Sequence, residues 1–278
     1  MFFQKHNQPQ GNDTLGWRIA SAAVALPLVV FILLLGFPWL HVGIVLITIL
    51  GVLEYYRLLK EKIEPSRAVL LFGVLFALLF VALGYRNSNE LVAFVALAAL
   101  VPLGMLLLVG WRTGRFHSWI LLSLGPLYLG YTLSYSLLID QLYKGTHWLA
   151  LALATTFATD TTAYLVGRTL GHTPLAPKIS PGKTREGAVA GVLGAITATI
   201  ALAFLWDLGM GPLKAVFLGL AIGIVCQIGD LLESFLKRYS NAKDAGSLIP
   251  GHGGVLDRLD SVVPNLVLVY YGARWVTS

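Results

Sequence analysis

The chain has 278 residues, 56% of them hydrophobic, with only 20 basic and 14 acidic side chains. Soluble domains carry about 25% charged residues, and so few charges could not cover this much apolar surface in water. A soluble fold is therefore excluded, and the expected class is an all-α polytopic membrane protein. The formal charge of +6 falls in alternate loops, which is a topology signal and not the footprint of nucleic-acid binding.

Residues 1–16 are polar and read as an N-terminal tail. Nine spans of about twenty apolar residues are expected near 17–36, 38–59, 67–84, 90–110, 118–139, 147–168, 187–206, 212–236 and 256–276. No small-residue cleavage site follows the first, so it is expected to be an uncleaved helix and not a signal peptide. The first two spans divide at Gly36-Phe37-Pro38. Pro102 and Pro126 fall inside spans, as membrane helices tolerate. The single cysteine, Cys226, lies in an apolar run and excludes an intrachain disulfide.

With nine spans, the N-terminus and the loops after spans 2, 4, 6 and 8 share one side. That side carries sixteen of the twenty Lys and Arg residues; Arg86, Lys144, Lys214 and Arg274 are on the other. The positive-inside rule makes the sixteen cytoplasmic, so the N-terminus is expected inside and the C-terminus outside. No inverted repeat or low-complexity segment is visible. The first five spans are almost free of polar features, whereas the last four hold Asp160, Asp230 and Glu233 and the glycines 187, 191, 194, 219 and 223. The expected division is a helical scaffold at 17–146 and a functional bundle at 147–278, with cytoplasmic loops at 169–186 and 237–256.

The chemistry concentrates from Ser234 to Asp260. On span 8, Asp230, Glu233, Ser234 and Lys237 follow i, i+3, i+4, i+7 spacing and share one helix face. On span 9, Asp257 and Asp260 share another, at the same membrane depth. Asp230, Asp257 and Asp260 can therefore converge, and Mg²⁺ binds through one or two such carboxylates plus substrate phosphates. A charged side chain near the hydrocarbon costs about 2.5–3.5 kcal/mol on insertion scales, so it is usually paired or functional. The alternative is that Asp230 pairs with Lys237 while the span 9 aspartates cap a helix. Between the helices, Pro250–Gly254 permits unusual backbone angles and close approach to an anion. His252 within it fits either a phosphate donor or a structural loop residue.

The loop at 172–187 ends in Gly182-Lys183-Thr184. A P-loop would need Gly at 177, where the chain has Pro177, and no strand is expected before it. What remains is a basic loop with Lys178, Ser180, Lys183, Thr184 and Arg185 ahead of a helix N-terminus. It suits either a phosphate cradle or an ordinary cytoplasmic loop. Asp160, in A-T-D-T-T-A-Y, could be satisfied by Thr159, Thr161 and Thr162 or could serve a metal or substrate.

The stretch from Ser234 resembles the signature of the phosphatidate cytidylyltransferase (CDP-diacylglycerol synthase) family. Ser234, Lys237, Arg238, Lys243, Asp244, Pro250, His252, Gly253, Gly254, Asp257, Arg258 and Asp260 all match. Upstream, Ser180, Pro181, Lys183, Thr184, Glu186 and Gly187 are similar to the family's S-P-K-K-T-x-E-G, with Gly182 where Lys is usual. Asp160, Ala163, Tyr164 and Gly167 are similar to its D-x-x-A-Y-x-x-G.

The resemblance covers roughly 155–262 and implies transfer of a cytidylyl group from CTP to phosphatidate, with Mg²⁺ and room for a second metal ion. Phospholipid biosynthesis at the membrane is the implied setting, the inner membrane in a bacterium, with homodimers common. Asp230, Asp257 and Asp260 would bind metal, with Lys237 and Arg238 in catalysis. Ser180, Lys183, Thr184, Glu186, Ser234, Lys243, Asp244, His252, Gly253, Gly254 and Arg258 would meet substrate. Two alternatives stay open: a related enzyme on another lipid, such as an ether-lipid cytidylyltransferase or polyprenol kinase, and an ion-coupled transporter using Asp160 and Asp230.

Overall fold

A computed structural model describes residues 23–25, 27–60, 62–63, 65–86, 116–242, 244–246 and 253–277. In chain order the elements are α1 (27–35), α2 (Trp39–Leu59), α3 (Arg67–Arg86), α4 (Phe116–Asp140) and α5 (Gly145–Leu170). There follow β1 (Pro174–Ala176), β2 (Ser180–Thr184), α6 (Arg185–Leu205), α7 (Pro212–Tyr239), α8 (Leu256–Leu259) and α9 (Val262–Thr277). Six of these, α2 to α7, are long and apolar enough to cross a membrane. Leu71, Phe72 and Leu75 of α3 and Ile224, Ile228 and Leu232 of α7 are exposed at helical spacing. Outward apolar stripes of this kind suit lipid and not water.

The break expected at Gly36-Phe37-Pro38 is present: α1 stops at 35 and Gly36 turns the chain with φ +60. The span expected at 90–110 lies outside the described residues. Its neighbours α3 and α4 run parallel. Tyr56, late in α2, donates its hydroxyl to Leu122 O near the start of α4, and Gln141, just past α4's end, donates to Tyr85 O at the end of α3.

Two departures from expectation stand out. The loop before α6 is not free of strand: β1 and β2 form a short antiparallel hairpin, in a structure otherwise helical and consistent with an all-α membrane protein. Three-residue and five-residue strands carry no apolar alternation that sequence could announce. The P-loop remains excluded, because Gly182 and Lys183 lie within β2 itself. The second departure is span 9, which divides into α8 and α9 around Asp260-Ser261. Pro264 explains the break, since it offers no N–H to Asp260 O and its ring crowds that carbonyl.

The helices form two groups, α2, α3 and α4 on one side and α5, α6 and α7 on the other, with α9 packed against α4, α5 and α7. The glycine-lined surfaces of α6 and α7 are close contacts: a Cβ at Gly223 would stand 2.7 Å from Val192 Cα. Gly223→Leu should therefore force α6 and α7 apart and cost about 1–3 kcal/mol. Gly182→Ala, with nothing within 4 Å of the added Cβ, should leave thermal unfolding in detergent unchanged.

Candidate active site

Asp230, Glu233 and Asp260 each direct a carboxylate oxygen into one volume, the three atoms lying within 4.8 Å of one another. Asp230 and Glu233 share a face of α7 through their i, i+3 spacing. Asp260 reaches them because of the break that Pro264 imposes. Gly229, the residue before Asp230, has no side chain, and Asp260 O and Pro264 occupy that space; a Cβ there would stand 2.9 Å from Pro264 Cγ. The helix interruption and the glycine together bring the two chain segments into register.

Around this group lie two lysines. Lys183 Nζ stands 2.5 Å from Asp230 Oδ2, and Lys237 Nζ stands 2.8 Å from Glu233 Oε2 and 2.9 Å from Asp257 Oδ1. The β-hairpin is thus pinned to α7, and Arg238 adds a second pin by donating from Nε to Ile179 O at 3.3 Å. Glu233 Oε1 is buried without a hydrogen-bond partner. An orphaned carboxylate oxygen beside two further carboxylates is what a hard cation would satisfy. Three carboxylate oxygens within 4.8 Å of one another are a donor set that suits a hard cation such as Mg²⁺.

Asp257 lies beside the trio, its carboxylate against that of Glu233. Its carboxylate accepts from Gly254 N at 2.8 Å and from Ala245 N at 3.0 Å, in addition to Lys237. Gly253 adopts φ +84 beside it, a backbone region that favours glycine. The structure therefore brings together Asp230, Glu233 and Asp260, with Asp257 alongside, against Glu233 and sharing Lys237 with it. The sequence reading placed Glu233 on the face of Asp230 and named Asp230, Asp257 and Asp260 as the metal-binding set; the i, i+3 spacing was the signal that Glu233 joins Asp230 and Asp260 in space.

The remaining expected residues fall into three sets. Thr184 and Glu186 are engaged by the chain itself. Thr184 Oγ1 caps α6 by accepting from Gly187 N, and the Glu186 carboxylate accepts from the amides of His172 and Thr173, each at 3.2 Å. Ser180 and Ser234 are half-buried, whereas Asp244 and Arg258 are exposed, on the segments that surround the trio. Lys243, Pro250 and His252 lie outside the described residues. Asp160 is exposed on α5, within electrostatic reach of Asp260, Asp230, Lys183 and Arg258. The hydroxyls of Thr159 and Thr162 go to the carbonyls of Thr155 and Ala158, not to Asp160.

A site of this composition, carboxylates and fixed cations at one end of a membrane-helix bundle, defines a class that handles polyanions with a metal ion. A family model described as "Cytidylyltransferase family" matches residues 16–275, and the chain belongs to that family. It is similar to proteins named phosphatidate cytidylyltransferase. That of Synechocystis is 34% identical over 278 residues, 91% of this chain and 94% of the relative. That of Bacillus subtilis is 29% identical, covering 91% of this chain and 96% of the relative. That of Brucella abortus is 42% identical over 171 residues, 61% of this chain, and the match spans 62% of the relative's length.

The cap at Thr184 gives a test of what the hairpin residues do. Thr184→Ala should lower stability by about 0.5–2 kcal/mol, the usual cost of a lost N-cap. Thermal unfolding in detergent measures that loss, and Thr184→Ser should recover it.

Proposed function

We propose that the chain is a phosphatidate cytidylyltransferase, forming CDP-diacylglycerol and pyrophosphate from CTP and phosphatidate at the cytoplasmic membrane face. The observation that carries this reading is the Asp230, Glu233 and Asp260 group with Lys183 and Lys237 against it, in a chain of this family. Asp230, Glu233 and Asp260 would hold Mg²⁺, which when bound neutralises phosphate charge and orients the nucleotide.

A phosphatidate oxygen attacks the α-phosphorus of CTP. The bond from that phosphorus to the bridging oxygen breaks, and pyrophosphate leaves with the electron pair. The lipid phosphate is already anionic near neutral pH, so no strong base is needed. What the protein must supply is positioning of two polyanions and stabilisation of the leaving group. Lys183 and Lys237 form ion pairs with the carboxylates of the site. Arg238 and Arg258, exposed at their edge, suit the nucleotide or lipid phosphate, with Ser180, Ser234, Lys243 and His252 as further donors. Asp257 holds Lys237 and the turn at 253–254.

Orientation follows from charge. On the nine-span reading the sixteen Lys and Arg residues would share the side of the site, which supports a cytoplasmic active site at the inner membrane of a bacterium. The parallel course of α3 and α4 supports a further crossing between them, giving nine spans with the N-terminus inside.

Purified protein in detergent with Mg²⁺, CTP and phosphatidate should release pyrophosphate. Glu233→Gln and Asp260→Asn should each lower kcat/KM by about 100-fold or more, since groups that merely support metal ligands typically cost about 10–100-fold when removed. Undiminished turnover by both variants would sink the metal assignment. Turnover with another lipid phosphate but not phosphatidate would move the chain to a sister activity, and lipid or ion uptake without pyrophosphate release would indicate a transporter.

A further inference from the structure

Glu54 is the acidic side chain in α2, and it is only 1% exposed in the wall of a membrane-spanning helix. A charged side chain is expensive at such a position and is usually paired or functional. Its partner is remote in sequence: Glu54 Oε2 accepts from Leu256 N at 2.8 Å, across 202 residues. Leu256 opens α8, a four-residue helix whose preceding residue, Val255, has no side-chain group to cap it. An acceptor carried by another helix fills the role that Ser, Thr or Asp usually plays locally.

The other oxygen, Oε1, is buried with no hydrogen-bond partner. Its surroundings are the loop. A Cβ at Gly254 would stand 2.6 Å from Oε2 and 2.9 Å from Gly246 N, and one at Gly246 would overlap Oε1. Both glycines are therefore shaped around Glu54. From the opposite side Asp257 accepts from Gly254 N and Ala245 N and passes to Lys237, and Lys237 to Glu233. Two carboxylates thus clamp the loop ends at 245–246 and 253–256, and the inner one leads directly to the trio.

We infer that Glu54 is a positioning residue for the cytidylyl-transfer site: it fixes the turn before α8 and so sets where Asp257 and Asp260 stand. The inference rests on the proposed role of the Asp230, Glu233 and Asp260 group. It gives the N-terminal helices a part in the chemistry that the matching motifs, all beyond residue 155, do not include. Glu54 touches no reacting atom, so it acts through the backbone of α8.

The test compares Glu54→Ala and Glu54→Gln with Val52→Ala, a truncation of a fully buried residue on the same helix, all in full-length protein in detergent. Hydrogen–deuterium exchange over 245–257 is read without substrate; kcat, KM for CTP and thermal unfolding are read alongside. Glu54→Ala should speed exchange in that segment and lower kcat by about 10–100-fold, the scale of a 1 Å misplacement, with KM for CTP nearly unchanged. Glu54→Gln keeps an acceptor for Leu256 N and should recover most of both. Val52→Ala should lower the unfolding temperature without either signature. Wild-type exchange over 245–257 in Glu54→Ala, or the same exchange and kcat changes in Val52→Ala, would reduce Glu54 to a packing residue. Should Glu54→Ala yield too little folded protein, Gly254→Ala breaks the same contact from the loop side and must reproduce the exchange signature. An inactive wild-type protein would overturn the functional reading while the exchange comparison still decides the contact.

Discussion

Carboxylates crowded at the ends of α7 and α8 are the constraint to which the rest of the molecule responds. Asp230, Glu233, Asp257 and Asp260 sit together against two lysines within ion-pair distance. Like charges this close, partly withdrawn from water, repel one another strongly. Each is consequently tied down by something specific: Asp230 by Lys183 on the hairpin, Glu233 by Lys237 on α7, Asp257 by Lys237 and the backbone amides of 245 and 254, and Asp260 by the amide of Ser261. Such an excess of negative charge is what a cation could relieve.

That constraint explains the architecture near the site. The β-hairpin brings Lys183 to Asp230, and its other end is anchored by Glu186 to the amides of His172 and Thr173. The hairpin is therefore a device for delivering a cation from the chain before α6 to a carboxylate on α7. At the far membrane face, Lys144 pairs with Asp207 and Lys214 donates to Trp275 O. Those contacts close the bundle without polar groups converging on a common volume. The two ends of the molecule thus use similar residues to different purpose, and the distinction lies in how many charges share one space.

Much of this was legible in sequence. Apolar runs of about twenty residues locate the long helices, because a membrane leaves the backbone few alternatives. The i, i+3 and i, i+7 spacings put Asp230, Glu233 and Lys237 on one face correctly. Three features were not legible, each for a physical reason. The hairpin is too short to carry an alternating pattern. The interruption of span 9 was signalled by Pro264, but membrane helices often accept proline, and the outcome depends on whether a neighbour takes the freed carbonyl. Here Gly229 lets Asp260 O lie against α7. Glu54 stood in plain view within an apolar span, yet its partner lies 202 residues away, and no local rule connects the two.

The interruption at Asp260 has a further consequence for how the site is built. In an unbroken helix from 256 to 277, successive side chains would hold fixed angles, and Asp257 and Asp260 would have to serve one volume together. The break relaxes that coupling. α8 turns as a unit, held by Glu54 at its start, so that Asp257 can bind Lys237 and the amides of 245 and 254. Asp260, at the joint, faces Asp230 and Glu233, with Oδ1 accepting from Ser261 N at 2.7 Å. Two aspartates three residues apart therefore take different tasks, one organising the loop and the other completing the carboxylate group. Pro264 makes the joint, Gly229 makes room for it, and Glu54 sets its angle.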